Sequence, residues 1–211
     1  MPGEGYPFNW SIRGWLEGEA SSLDRIGDVS GFAAPVADFI CALQRIDATD
    51  GPGAGAHCFY RGAWPGHYDD ETRRSLAVVD GHIDTVRAAA VWEAALEATW
   101  HGPPVWFHGD IASGNLLVRD VRLAAVLDFG TSGVGDPACD LVMAWTMFSG
   151  DSRETFRRVV DQAPATWARA RGWALWKALI GLAEDIDTNE ERAVVNRRII
   201  EDVMADHDRA A

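Results

Sequence analysis

Apolar positions recur at helical spacing over residues 34–47, where Val36, Phe39, Ile40, Leu43 and Ile46 share one face. The period lapses over 51–67, a stretch dense in Gly and Pro that reads as a loop inside one domain, not as a linker. Helical patterns return over 70–79 and 85–100, divided near Gly81, with Val91, Leu96 and a run of alanines on the apolar face of the second. Three short runs of strand character follow, at 105–107, 116–119 and 123–127. Helical spacing resumes over 137–148, 153–161 and 165–183. The final helix opens on Thr188, Asn189, Glu190 and Glu191, a capping box in sequence, and its spacing predicts that Val195, Ile199 and Val203 are buried. Residues 1–19 alternate in part and hold aromatic and β-branched residues, as an edge strand does. The pattern predicts a mostly helical α+β fold in which a small sheet carries a polar loop. No internal repeat interrupts it.

That polar loop holds the chemistry. Val105, Trp106 and Phe107 lead into His108, Gly109 and Asp110; Asn115 follows five positions later, and the run Val126, Leu127, Asp128, Phe129, Gly130 makes a second acidic turn. Phosphoryl transfer needs this grouping: one carboxylate to accept a hydroxyl proton, and an amide oxygen plus a second carboxylate to hold the magnesium that bridges ATP phosphates. Asp110 takes the first role, Asn115 and Asp128 the second. A His-Gly-Asp or an Asp-Phe-Gly alone is more often a surface turn; their conjunction between strand-like runs is specific. Asp136 and Asp140 open the next helical segment, where helix capping accounts for acids without any further role.

His108, Asp110, Asn115, Asp128, Gly130, Asp136, Pro137, Asp140 and Leu141 also meet the pattern His-x-Asp, Asn five beyond, Asp-x-Gly, Asp-Pro-x-x-Asp-Leu. In this the chain resembles the aminoglycoside phosphotransferase family, whose fold is similar to that of protein kinases. It departs from the family at Ala112 and Ser113, where members often carry His-Pro. The resemblance implies a kinase-like C-terminal lobe over 20–211, preceded at 1–19 by the hinge that ends the N-terminal lobe. It implies that Trp15, Leu16 and Glu17 form the adenine-binding hinge. It makes His108 a framework residue that anchors the loop, and Gly130 and Asp140 supports of the site, with Asp140 the better candidate for tethering the catalytic loop. Asp136, Glu184 and Asp185 are candidates for substrate contact, since acidic residues of the family's C-terminal helices meet cationic aminoglycosides. The implied cofactors are ATP, or another nucleoside triphosphate, and Mg²⁺.

Composition narrows the readings. At 211 residues the chain can bury a core without staples. Three dispersed cysteines, Cys41, Cys58 and Cys139, suggest neither a disulfide framework nor a zinc site, and point to a reducing cytoplasm. No apolar run is long enough to span a bilayer. The N-terminus lacks the basic and apolar regions of a signal peptide. A formal net charge of −13 repels nucleic acid and favours a cationic small-molecule acceptor, although solubility alone also accounts for it.

No Gly-rich phosphate loop and no Lys–Glu pair precede the hinge, and the sole lysine, Lys177, falls in a late helical segment. The chain is therefore expected to start where a family member's N-terminal lobe ends, and to transfer phosphate poorly by itself. Three readings follow. The first is ATP-dependent O-phosphorylation of a small hydroxylated substrate, for which an aminoglycoside-like antibiotic is one candidate. The second is a substrate-binding lobe without catalytic competence. The third is a metal-dependent phosphoesterase, disfavoured because His57, His67, His82, His101 and His207 show no paired ligand spacing.

Overall fold

In the computed structural model, the residues described are Gly5, Phe8, Ile12 and 14–210. Much of the edge strand expected over residues 1–19, Trp10 included, lies outside them. What is seen of it is a two-residue strand, β1 (Glu19–Ala20), after an irregular stretch from Gly14. Helix α1 (Val29–Gln44) starts five residues before the expected span, behind Asp28, and carries Pro35 inside it. It ends at Gln44, so Ile46 lies beyond the helix and is exposed. Helices α2 (Asp69–Val78) and α3 (Thr85–Glu97) follow the loop. Three acids in the first turn of α2 complement its dipole. Asp84 caps α3 by accepting from the Arg87 amide at 3.0 Å.

The strands β2 (Val105–Phe107), β3 (Leu116–Arg119) and β4 (Arg122–Val126) fall within one residue of their expected bounds. A fifth, β5 (Gly133–Gly135), was not anticipated. It pairs antiparallel with β2, and β1, β3 and β4 form a three-stranded antiparallel sheet in the order β1-β3-β4. The glycines of β5 look like a turn in sequence, yet the pairing requires them. A Cβ on Gly133 would sit 2.9 Å from the Phe107 ring, and one on Gly135 2.4 Å from the Gly62 carbonyl oxygen.

The helix expected over 137–148 is a 3-10 run, Pro137–Val142, feeding the short α4 (Met143–Thr146). Helix α5 (Gly150–Val160) comes next. Helix α6 (Pro164–Asp185) is buried along most of its circumference, as a helix apolar on several faces must be, and packs against α2, α3 and the 3-10 run. Its other long neighbour is α7 (Glu190–Ala210). The cap of α7 is Asn189, whose side chain accepts from the Arg192 amide at 3.1 Å; Thr188 instead donates to the Glu184 carbonyl. Ile199 and Val203 are buried in α7 as expected, but Val195 is not. Its buried partner in the first turns is Ala193, and two helical positions rotate a side chain about 200° to the far face.

Candidate active site

Strand β2 ends at Phe107, and the chain then turns through Gly109 at φ +83°, a left-handed conformation that suits glycine. A Cβ there would lie 2.5 Å from the Thr131 carbonyl oxygen, so the close approach of the two loops also requires it. The fully buried Asp140 carboxylate holds the turn, accepting from the His108 amide at 2.7 Å and the Gly109 amide at 2.8 Å. Burial pushes the Asp140 carboxyl up in pKa, and these two amides oppose that rise.

His108 ties the first loop to the second. Its Nε2 lies 2.9 Å from the Leu127 carbonyl, which can only accept, so Nε2 carries the proton. Its Nδ1 then accepts from the Asp110 amide at 3.2 Å. With both ring nitrogens engaged and the side chain buried, His108 serves as a strut. The Phe129 ring packs on it at 4.7 Å between centroids, and Thr131 Oγ1 donates to the His108 carbonyl at 3.0 Å.

These braces present three polar side chains. Asp110 Oδ1 meets Lys177 Nζ at 3.0 Å, and Oδ2 accepts from Asn115 Nδ2 at 3.2 Å. Partial burial would raise the Asp110 carboxyl, but the Lys177 ammonium, the Asn115 amide and the nearby Arg61 outweigh it and hold it below the usual carboxylate value. The Asn115 amide nitrogen also donates to the Asp110 carbonyl at 2.9 Å. Its oxygen is thereby turned away from Asp110 and has no donor among the described residues. Asp128 sits at φ +63° and is exposed, at the mouth of a cleft. A Cβ on Gly130 would fall 3.2 Å from Asp128 Oδ1, so this glycine leaves the carboxylate room.

The cleft has a volume of about 850 Å³ and is lined by Trp15, Leu16, Leu117, Val126, Asp128 and Phe129, among others. Two of the three expected hinge residues therefore meet an expected metal ligand in one apolar slot. Glu17 does not line it. Asp136 has a different place from the substrate contact expected of it. Its buried carboxylate takes Arg169 Nε at 2.5 Å and Nη2 at 3.2 Å, and accepts from the Ala138 amide at 3.1 Å. Arg169 is itself almost fully buried and requires such a partner. Asp185 is also buried, 3.1 Å from Arg192 across the α6–α7 junction, whereas Glu184 is exposed.

Residues 1–173 match the phosphotransferase enzyme family, APH. The chain belongs to that family. No curated protein matches it. Among solved structures, the phosphotransferase fold is shared with aminoglycoside phosphotransferase APH(4)-Ia, at 19% identity and a TM-score of 0.56, over 90% of this chain and 69% of that one. A thermostable mutant of the same enzyme, in ternary complex with AMP-PNP and hygromycin B, matches at 20% identity and a TM-score of 0.52, over 85% and 65%. Macrolide 2'-phosphotransferase MphH from Brachybacterium faecium matches at 20% identity and a TM-score of 0.52, over 91% and 72%. This family member thus spans about two thirds of the length of these enzymes.

Beside Asp110, this family member has a feature that no motif in its sequence marks. Arg61, Trp173, Trp176 and Lys177 converge there around Gly109 and Asp110. Lys177, the sole lysine, stands in no motif that assigns it a role. Sixty-seven residues separate it from Asp110, and no local spacing predicts their contact. Arg61 stacks on Trp176 at 4.7 Å, a pairing equally invisible to periodicity.

Among the described residues no helix is long and apolar enough to cross a membrane, and no group of three His, Cys, Asp or Glu could hold a metal ion.

Proposed function

We propose that the protein is the catalytic lobe of an ATP-dependent O-phosphotransferase acting on a small hydroxylated acceptor. Residues 1–19 are its hinge segment and 20–211 the lobe. The observation that carries this is the setting of Asp110: gripped on one oxygen by Lys177 and on the other by Asn115, while Asp128 on the adjoining loop lines a cleft with Trp15, Leu16 and Phe129. A flat base would lie against Trp15, Leu16 and Phe129, with its phosphates toward Asp128. The ternary complex of the APH(4)-Ia mutant with AMP-PNP supports a nucleotide there.

Asn115 Oδ1 and the Asp128 carboxylate are hard oxygen donors on adjoining loops, and so fit Mg²⁺. With only two protein ligands, the rest of its shell would come from phosphates and water, as is usual for this ion. Bound there, magnesium would supply charge neutralisation for the phosphoryl group in transfer. Asp110 accepts the acceptor's hydroxyl proton as the oxygen attacks the γ-phosphorus, and the bridging oxygen leaves with ADP. Its depressed pKa keeps it ionised for this task, and the grip on both oxygens fixes its direction.

The binding-lobe reading has one observation in its favour: among the described residues, those that line the slot include no cation to hold the phosphates. Turnover of ATP with hydroxylated acceptors decides between the two. Asp110→Asn should cut it by about 10²–10⁴, the range for loss of a general base, with nucleotide affinity little changed. Asp128→Ala should abolish magnesium-dependent nucleotide binding without unfolding. Equal turnover of the Asp110 variant and the wild type overturns the assignment of the base. Binding of Mg-nucleotide with no transfer to any acceptor leaves the binding lobe. The three free cysteines, Cys58 and Cys139 buried among them, support a cytoplasmic location.

A further inference from the structure

A small pit beside Asp110 carries more cations than carboxylates, on a strongly acidic chain. Two cations, Arg61 and Lys177, flank one carboxylate there, and the other lining residues are uncharged: Gly109, Ile111, Cys139, Val142, Trp173 and Trp176. Arg61 Nη1 donates to the Phe59 carbonyl at 3.1 Å and lies 3.4 Å from the Tyr68 hydroxyl, while Nε and Nη2 have no hydrogen-bond partner among the described residues. The guanidinium lies over the Trp176 ring at 4.7 Å and 5.9 Å from the Trp173 ring, contacts that restrict its fork in advance. Lys177 uses one contact on Asp110, and its side chain remains 52% exposed. Its ammonium has further donors to offer.

We infer that the acceptor is an anionic hydroxylated molecule, with a carboxylate or phosphate group held between Arg61 and Lys177 and its hydroxyl on Asp110. This rests on the phosphotransferase reading above and names its substrate class. It also reverses the cationic acceptor that net charge alone favours. Among the lining residues one carboxylate faces two cations: Lys177 pairs with it, and the half-free guanidinium of Arg61 keeps donors to spare. A substrate ammonium group brought to Asp110 would meet two like charges at short range, whereas an anion gains a bidentate partner. The acidic residues nearby do not reverse this. Glu71 keeps its charge, but it spends one oxygen on the Trp176 indole N–H at 2.8 Å and does not line the pit. Glu184 shares the helix face of Lys177 but lies seven residues on, about 10 Å along the axis. In the transfer the hydroxyl proton passes to Asp110, the new bond joins acceptor oxygen to the γ-phosphorus, and ADP leaves with the electrons of the broken bond.

The test is calorimetric titration of the nucleotide-free protein with three probes matched in size class: glycerate, glycerol and spermidine. Glycerate should bind at least about tenfold more tightly than either of the others, and lose affinity at high salt. Lys177→Gln and Arg61→Gln should each weaken glycerate by about tenfold, with Arg61→Lys in between. If Arg61→Gln does not fold, Lys177→Gln, at an exposed position, carries the result. Glycerate no tighter than glycerol, spermidine the tightest of the three, or unchanged glycerate affinity in Lys177→Gln would each overturn the inference. A parallel titration with Mg-ATP separates the two claims. Glycerate selectivity without nucleotide binding strikes the phosphotransferase reading alone, and nucleotide binding without glycerate selectivity strikes the acceptor class alone.

Discussion

Replacing Asp140 by Ala removes the acceptor that holds the catalytic turn, and its cost can be worked from the geometry. Both amides it serves, of His108 and Gly109, are buried, at 2.7 and 2.8 Å, and no water could reach them without the loop moving. Each orphaned N–H costs about 1–3 kcal/mol, so the pair comes to about 2–6 kcal/mol. Removing a fully buried carboxylate, whose pKa burial already pushes up, returns part of that cost, and the net falls toward the lower half, about 2–4 kcal/mol. Typical domains are stable by only about 5–15 kcal/mol, so the variant should fold but weakly. With a urea slope of about 2 kcal/mol per molar, the unfolding midpoint should fall by about 1–2 M. Asp140→Asn keeps one acceptor oxygen and sets an amide N–H against the other backbone N–H, so its loss should be smaller but not zero. Both variants should also loosen the link from His108 to Leu127 and weaken Mg-nucleotide binding at a cleft they do not touch. A midpoint within about 0.2 M of the wild type for Asp140→Ala would refute the account, since it would mean that these amides find other partners at no cost.

Gly109→Ala should cost about 1–2 kcal/mol from its left-handed backbone alone, and more from the clash with the Thr131 carbonyl; an unfolding midpoint and a lowered affinity for Mg-nucleotide are the readouts. The two-residue turn between β3 and β4 holds Asp120 at φ +52° and Val121 at φ +58°, so Val121→Gly should stabilise the protein by about 1 kcal/mol in thermal melts, and destabilisation would contradict the strain assigned to it. Burial raises the Asp206 carboxyl, but Arg157 and Arg171 outweigh it and leave the pKa lowered. A depressed folded pKa contributes stability that is complete above the unfolded value of about 3.9 and is lost as pH falls through the lower folded value. Asp206→Asn should therefore cost about 3–5 kcal/mol at neutral pH, because it strands the buried Arg171, and should flatten the acid limb of a stability–pH curve. An acid limb identical to the wild type's would place that dependence on other carboxylates.

The sequence by itself determined what short range decides. Helical spacing located α2, α3, α6 and α7, and strand character located β2, β3 and β4, because a period of 3.6 or 2 is a property of neighbours along the chain. The order of Asp110, Asn115 and Asp128 on two loops was legible for the same reason, since each loop is short and its strands deliver it. What the sequence could not carry is what distant segments impose on one another. Strand β5 is written in glycines that look like a turn until Phe107 and Gly62 crowd them. Val195 lies at helical spacing but points away, because the phase of α7 is set by where α6 lies. Asp136 and Asp140, four residues apart and equivalent as capping acids, are divided by their partners: Arg169 takes the first, and the catalytic turn takes the second. Lys177 gains its place from the course of α6 past the loop, which brings a charge sixty-seven residues away to 3.0 Å from Asp110. Composition reports only the sum of charge, −13 over the whole chain, whereas a ligand meets the local arrangement; packing alone set Arg61 and Lys177 together beside Asp110.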